Sequence, residues 1–367
     1  MAHNIRMYHR TAEEFGFDTE LAEGNDFFMI KTFRENLYFV GTTSPFNCVS
    51  NAIIATHKYL MNFILADRGF PVPKACVVPF PEAGKEVPES VWETIRTTLS
   101  YPLVAKPAHG TSAGRDVLCH ITNETALKAH VFKCLDKCQT SVSVEEYVGG
   151  FRCFRVLLLD HKVIGVVERF PAAVTGDGEK NLRTLVEEEN VRRKAFTELS
   201  QGGIQLDAET DFKLETLNMT LDTIPAQGEN VELCFSCNST RGGSMKALSK
   251  NHIHKDNAAL LSRASRALGL NMVGFDVNCV DILEPITKET GVIIEANHHP
   301  DISIHENPMF GHSQRVTRAV MRRVARKYPF TFLWGSYQKH KKGWGVFAAK
   351  AATLLAAALA LHHYVRL

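Results

Sequence analysis

The chain has 367 residues, 45% of them apolar, enough to bury a substantial core and to build two or three subdomains. A net charge of +2, with no run of Lys and Arg interleaved with aromatics, argues against nucleic acid as a partner. Nine scattered cysteines, and a stretch from Met1 to Glu20 without an apolar core, point to a reducing, cytoplasmic compartment rather than to secretion.

Met1 to about Thr43 carries no readable motif, and residues 1–48 are set apart as a lead-in. From Asn51, apolar residues recur at three- and four-residue spacing as far as Gly69, which predicts one helix with a glycine stop. FPVPKACVVPF then leads into a strand. Tyr101–Lys106 predicts a second strand, followed by a loop holding Gly110 and Gly114 and by a strand over Val117–Ile121. A P-loop would instead place a helix after the glycines and end in Gly-Lys-Ser/Thr. A helix around Glu124–Asp136 precedes SVSVEEYV, FRVLLLD and KVIGVVERF, which read as antiparallel strands.

Gly176-Asp-Gly178 marks a sharp loop before the helix LRTLVEEENVRR. VELCFSC reads as a strand, on which Cys234 and Cys237 would point to opposite faces, so their spacing suggests structure rather than zinc or redox chemistry. After Asn238 come a Gly-Gly loop, a helix from about Asp256 to Leu268 with Asp256 as N-cap, and two strands, MVGFDVNCVDIL and GVIIEAN. Beyond Tyr328 the chain turns basic and aromatic and then apolar (VFAAKAATLLAAALALHHYV). This tail reads either as an interfacial membrane anchor or as an Ala-rich helix packed on the protein or on a second subunit.

Two places carry chemistry in the residues themselves. Lys106 ends a strand just before a glycine-bearing loop, where a point cation and free N–H groups can hold phosphates. Glu295 and Asn297, two apart on an otherwise apolar strand, share a face and present the hard oxygens that Mg²⁺ takes together with phosphate oxygens. A third ligand belongs on the neighbouring strand. Closing a simple hairpin with Leu283 opposite Gly291 brings Asp276 near the level of Asn297 and leaves Asp281 about four residues, roughly 13 Å, away. Side-chain parity in that register favours Asp281, and Asp276 then needs a one-residue shift or bulge.

With these residues in view, the chain resembles the ATP-grasp ligases, in particular the ATP-grasp regions of cyanophycin synthetase, bifunctional glutathione synthetase and N-acetylglutaminylglutamine amide synthetase. The likeness rests on VAKPAHGTSAGRDV, VEEYV, FRVLLLDHKVIGVVERFPAAVTGDGEKNLRTLVEEEN, NSTRGGS, HKDNAALLSRASRALGLNMVGFDV and IIEANHHP, from about Lys58 to Tyr328. It implies an α+β ATP-grasp fold, two α/β subdomains gripping ATP between antiparallel sheets, over residues 49–330, with 331–367 as linker and apolar helical tail. It implies ATP and Mg²⁺ (or Mn²⁺) as cofactors, and a carboxylate–amine ligase that works through an acyl-phosphate on amino acids or short peptides.

By that resemblance Lys58 and Lys106 hold ATP phosphates under a closing loop that contains His109, Gly110, Ser112 and Gly114. Glu145, Glu146, Tyr147 and Val148 form the hinge for adenine. Arg155, Arg169 and Asn238 serve the transfer itself. Gly176, Asp177, Gly178, Arg241, Gly242 and Gly243 line the substrate, and Asp276, Glu295 and Asn297 bind the metal, which decides for Asp276 over Asp281. The chain departs from the pattern at Arg152 and Cys153, where an acid for the ribose is usual, and at Asp301, Arg241 and Ala247. His298, His299 and His305 near the metal motif read as packing or substrate-orienting groups. A ligase acting on a protein terminus and a catalytically idle nucleotide-binding scaffold are the competing functions.

Overall fold

The computed structural model describes residues 3–22, 24–82, 85–110, 116–194, 202–341 and 345. The chain divides into two compact units, Met1–Pro45 with the segment from Thr317 onward, and Phe46–Val316. In the first unit, α1 (His3–Phe15) precedes an antiparallel meander of β1 (Thr19–Ala22), β2 (Phe27–Lys31) and β3 (Asn36–Val40). Alternate residues of β2 and β3 are buried, as strand periodicity requires. Tyr8, Phe28 and Phe39 are fully buried, with ring centroids 5.0 Å (Tyr8–Phe39) and 4.6 Å (Phe28–Phe39) apart.

The second unit opens with two helices, α2 (Val49–Thr56) and α3 (Lys58–Asp67), where the periodicity predicted one. His57 between them is extended (φ −86°, ψ 99°), and its ring caps α3 by accepting the Leu60 amide. The Lys58 amide leaves the helical ladder and donates to the Ala108 carbonyl at 2.8 Å. An apolar stripe continues on both sides of such a break, so spacing alone does not reveal it.

β4 (Ala75–Val78), α4 (Glu89–Thr98), β5 (Leu103–Pro107), β6 (Leu118–Ile121), α5 (Glu124–Cys138) and β7 (Val142–Glu146) build a four-stranded antiparallel sheet of order β4-β7-β5-β6. Its core holds Trp92, Leu103, Leu127, Val131 and Val142. A larger sheet of order β14-β13-β8-β9-β12-β15 follows. Its strands are β8 (Arg152–Leu159), β9 (Lys162–Phe170), β12 (Ser244–Leu248), β13 (Met272–Cys279), β14 (Gly291–Asn297) and β15 (Phe310–Gly311), with only β12–β15 paired in parallel. Between β9 and β12 lie β10 (Ala173–Thr175), α6 (Leu182–Lys194), α7 (Ala208–Thr216) and β11 (Asn230–Glu232). Helices α8 (Lys255–Ala267) and α9 (Ser303–Glu306) complete the second unit, and α10 (Val316–Lys327) belongs to the first. One face of the large sheet, carrying Phe154, Val156, Val166 and Phe275, packs on Leu261 and Ala264 of α8 and on Met61 and Leu65 of α3. Alternation therefore turns the opposite face of the same strands toward the site.

Three further expectations are corrected. VELCFSC is not a strand beyond Glu232, because the Phe235 and Ser236 amides donate to Glu209 Oε1 (3.1 and 3.2 Å) and not to a neighbouring strand, so the opposite-face reading of Cys234 and Cys237 lapses. The N-cap of α8 is His254, whose Nδ1 accepts the Asp256 amide at 3.2 Å. Cys279, not Leu283, stands opposite Gly291. The apolar helical tail expected in 331–367 falls, from Val346 onward, outside the described residues. Among the described residues no helix is long and apolar enough to cross a membrane.

Candidate active site

The β13–β14 hairpin sets the acidic side of the site. Gly274 stands opposite Asn297 and Asp276 opposite Glu295, and a register shift follows between Asp276 and Val277. Residues directly opposite share a face, as do residues two apart, so Asp276, Glu295 and Asn297 lie together. The shift is the bulge that parity demands for Asp276. Asp281 lies beyond β13, where it accepts the Leu283 amide at 2.9 Å and pairs with Arg152 at 2.7 Å.

Two guanidiniums converge on Asp276. Arg155, opposite it on β8, grips both carboxylate oxygens, with Nη2 3.2 Å from Oδ2, and Arg169 from β9 places Nη1 3.0 Å from Oδ2. Burial pushes this carboxyl up, but Arg155 and then Arg169 outweigh it and hold it below the usual carboxylate range. The guanidinium of Arg169 is held charged in turn, since the Asp276 carboxylate outweighs its burial.

The lysines come from two elements, Lys106 from β5 of the small sheet and Lys58 from the start of α3. Lys106 on β5 is buried and donates to Glu145 Oε2 of the adjacent β7 at 2.7 Å, while Ser143 Oγ donates to Glu145 Oε1 at 2.9 Å. Burial lowers the Lys106 ammonium, yet Glu145 outweighs it and raises the pKa. Lys58, at the first turn of α3, lies 4.0 Å from Glu295 Oε1. Burial leads in lowering its pKa, with the Lys106 charge adding to it against Glu295. The His109 ring lies tilted at 5.4 Å from that of His57, next to Lys58, and Gly110 follows with φ 79°, whereas Ser112 and Gly114 lie outside the described residues.

In the hinge, the Glu146 amide donates to Lys74 O and the Tyr147 amide to Pro102 O, while the Glu146 carboxylate accepts the Ser100 amide. These groups are spent on the fold. The Gly176–Gly178 loop and the Asn238–Gly243 loop are not gathered into the ionic cluster by their side chains. Asp177 Oδ1 accepts the Glu179 and Lys180 amides, and Asn238 Oδ1 accepts the Thr240 amide and hydroxyl. Arg241 turns to Asp207 and to Glu209 Oε2 (2.6 Å). Gly242 needs to be glycine, because it has φ 93° and a Cβ would sit 2.6 Å from Ile204 Cα. A cavity of about 540 Å³ opens beside β9 and α6, with Phe170, Leu185 and Phe310 as apolar wall and Glu188 and Arg192 as charged lining.

The departures also find structural explanations. Arg152 bridges Glu168 (2.8 Å) and Asp281, and Asp301 caps the turn into α9 by accepting the Ser303 amide at 2.8 Å. Cys153 lies opposite Arg169 on β9 and beside Cys237. The His298 and His299 rings lie against one another, tilted by 31° with centroids 4.2 Å apart. His305 is fully buried, its Nδ1 against Gln314 Oε1 at 3.2 Å, and burial pushes its imidazole down to about 4. Since the unfolded ring titrates near 6.5, the unfolded chain binds more protons between about pH 4 and 6.5, and stability rises with pH across that window. We expect His305→Gln to flatten this slope in urea unfolding measured at a series of pH values.

Spacing gave no hint of Glu145 as the counter-ion of Lys106, nor of an aromatic group made by His120, Tyr147, Phe212 and Phe235. Its only local sign is an unusual ring residue on the strand after the glycine loop.

A lysine on the small antiparallel sheet and another at the start of α3, set beside a carboxylate–amide face crossed by arginines on the large sheet, define a class: the chain resembles the ATP-grasp ligases in fold and in sequence. No family model matches it. It is similar to cyanophycin synthetase of Trichormus variabilis, at 32% identity over 275 residues covering 73% of this chain and 29% of that protein. It is similar also to the glutathione biosynthesis bifunctional protein GshAB of Lactiplantibacillus plantarum, at 26% identity over 76% of this chain and 38% of that protein. Among solved structures, a bifunctional glutathione synthetase from Pasteurella multocida superposes with a TM-score of 0.60 at 22% identity, covering 89% of this chain and 44% of that one. The chain thus spans about a third of the length of the curated relatives it matches.

Proposed function

We propose that the protein is an ATP- and Mg²⁺-dependent ligase that joins a carboxylate to an amine through an acyl-phosphate, on amino acids or short peptides. The observation that carries this reading is the shared face of Asp276, Glu295 and Asn297, bracketed by Arg155, Arg169, Lys58 and Lys106. The face suits a hard cation. Asp276 has about four lone-pair directions and spends three on guanidinium N–H groups, which leaves room for one metal contact. Glu295 pairs with Lys58 at 4.0 Å, and Asn297 adds an amide oxygen. Among the described residues no group of three or more His, Cys, Asp or Glu is placed to hold a metal, so the candidate set is two acids and an amide. When bound, Mg²⁺ would be held by these three and would offset charge on the transferring phosphoryl group.

The protein's own groups supply the rest. Lys58 and Lys106 neutralise ATP phosphates, and Arg155 and Arg169, fixed in orientation by Asp276, hold the substrate carboxylate as its oxygen attacks the γ-phosphorus and ADP departs. An amine nitrogen then attacks the acyl carbon and phosphate leaves. The stretch from His109 to Arg115, which lies outside the described residues beyond Gly110, is the one the family resemblance assigns to closing over the phosphates and keeping water from hydrolysing the acyl-phosphate. Gly176–Gly178, Asn238 and Gly242–Gly243 are the proposed substrate loops, and the neighbouring cavity, apolar with mixed charge, suits an amino-acid or peptide substrate.

The test is phosphate release by the full chain from ATP and Mg²⁺ against pools of amino acids and dipeptides, with Glu295→Ala as control. Release that depends on an added amine and falls at least about a hundredfold in the control is the expected result. Silence in every pool while ATP still binds would sink the small-substrate reading and transfer the case to a protein terminus or an idle scaffold.

A further inference from the structure

Next to the proposed nucleotide hinge, the small sheet carries an unusual residue. Across β5 and β6, Leu103 pairs with Ile121 and Ala105 with Leu118, so Cys119 and His120 together oppose Val104. This one-residue bulge puts His120 at φ 58°, a conformation few non-glycine residues adopt, and such bulges re-aim side chains next to sites.

The re-aimed ring enters an aromatic enclosure. It lies edge-on to Tyr147 of the hinge (5.4 Å, 85°), parallel to Phe235 (5.6 Å, 1°) and tilted against Phe212 (6.2 Å). Its Nδ1 is buried and meets no hydrogen-bond partner among the described residues. A buried polar atom without a partner is costly, and its persistence at a strained backbone position suggests that a ligand completes it.

The opposite wall is braced. Glu209 Oε1 accepts the Phe235 and Ser236 amides while its Oε2 pairs with Arg241, and Lys213 Nζ lies 4.7 Å from the Phe235 ring centre. Cys119, beside His120, is within electrostatic reach of Lys106 and Glu145, which places the enclosure next to the lysine proposed to hold ATP phosphates.

We propose that His120 reads the nucleotide base, its Nδ1 forming a hydrogen bond to an edge of the purine held between the hinge and the aromatic wall, with Glu209 and Arg241 as positioning residues for that wall. The assignment rests on the nucleotide-binding reading above. It also gives Arg241 a task, joining the Gly-Gly loop to the base pocket.

Calorimetric titration of the full chain with MgATP and with magnesium tripolyphosphate, which shares the phosphates and lacks the base, separates the possibilities. His120→Ala should weaken ATP about tenfold and leave tripolyphosphate unchanged, as expected for one hydrogen bond in a buried site. His120→Asn keeps a hydrogen-bonding group and tolerates positive φ, so it should recover most of the ATP affinity. Equal weakening by Ala and Asn would make His120 a packing ring and overturn the assignment, as would equal losses for both ligands. A wild-type chain that binds neither would overturn it together with the nucleotide reading, whereas unchanged ATP binding in His120→Ala would overturn the base-reading role alone.

Discussion

On the proposed function, Lys106→Met is expected to abolish ATP-dependent phosphate release, by about a thousandfold or more, and also to destabilise the fold. The two effects have separate origins. Turnover should fall because the buried ammonium at the end of β5 is lost and Lys58 alone is left to offset phosphate charge. Stability should fall because Glu145, itself 4% exposed, is left as a buried carboxylate that keeps the Ser143 hydroxyl but loses its paired ammonium. Removing one member of a buried pair costs about 3–5 kcal/mol. The double variant Lys106→Met/Glu145→Gln removes that unpaired charge, so denaturant unfolding should return toward wild type while phosphate release stays absent. If the single variant lost stability but kept turnover within about tenfold, Lys106 would be no more than the counter-ion of Glu145.

Asp276→Asn is expected to have an effect of similar size. The carboxylate neutralises Arg155 and Arg169 at once, and the amide leaves two neighbouring guanidiniums without an anion. We expect a loss of about 3 kcal/mol near neutral pH and a fall in turnover of at least about a hundredfold. The pH dependence tests the cause. Arg155 and Arg169 outweigh burial and lower the Asp276 pKa in the folded protein, while the unfolded carboxyl takes up its proton near 3.9. The stability this group contributes is therefore complete above about pH 4 and is lost as pH falls through the folded value. Unfolding free energies of wild type and Asp276→Asn should differ by a constant amount from about pH 5 to 8 and converge below about pH 4. A gap that persisted undiminished in acid would mean that the arginines act on Asp276 by shape rather than by charge.

How far the site could be read in advance varied with the range of the interaction. Glu295 and Asn297 stood out because a strand's period of two puts them on one face within three residues, and β14 does run Gly291–Asn297. Choosing between Asp276 and Asp281 required the position of a bulge between Asp276 and Val277, which depends on how β13 meets its neighbours on both sides. The helix from Asn51 looked unbroken because its apolar spacing is unbroken. The break at His57 arises from an Ala108 carbonyl that draws the Lys58 amide out of the ladder across a gap of fifty residues in sequence. Arg241 looked like a residue facing substrate, and only packing showed Asp207 and Glu209 already beside it.

By itself, the order of residues determined which groups were available: a lysine just before a glycine loop, arginines on adjacent strands, and an acid–amide pair on an apolar strand. Those are properties of local periodicity and composition, and they survive any arrangement of the chain. Tertiary structure alone decided which charges neutralise one another, that Glu145 holds Lys106 and Asp276 holds both arginines, and that His120 turns its ring toward Tyr147 and Phe235. Coulomb and hydrogen-bond energies fall off over a few ångströms, and such distances between residues far apart in sequence exist only once the sheets have paired.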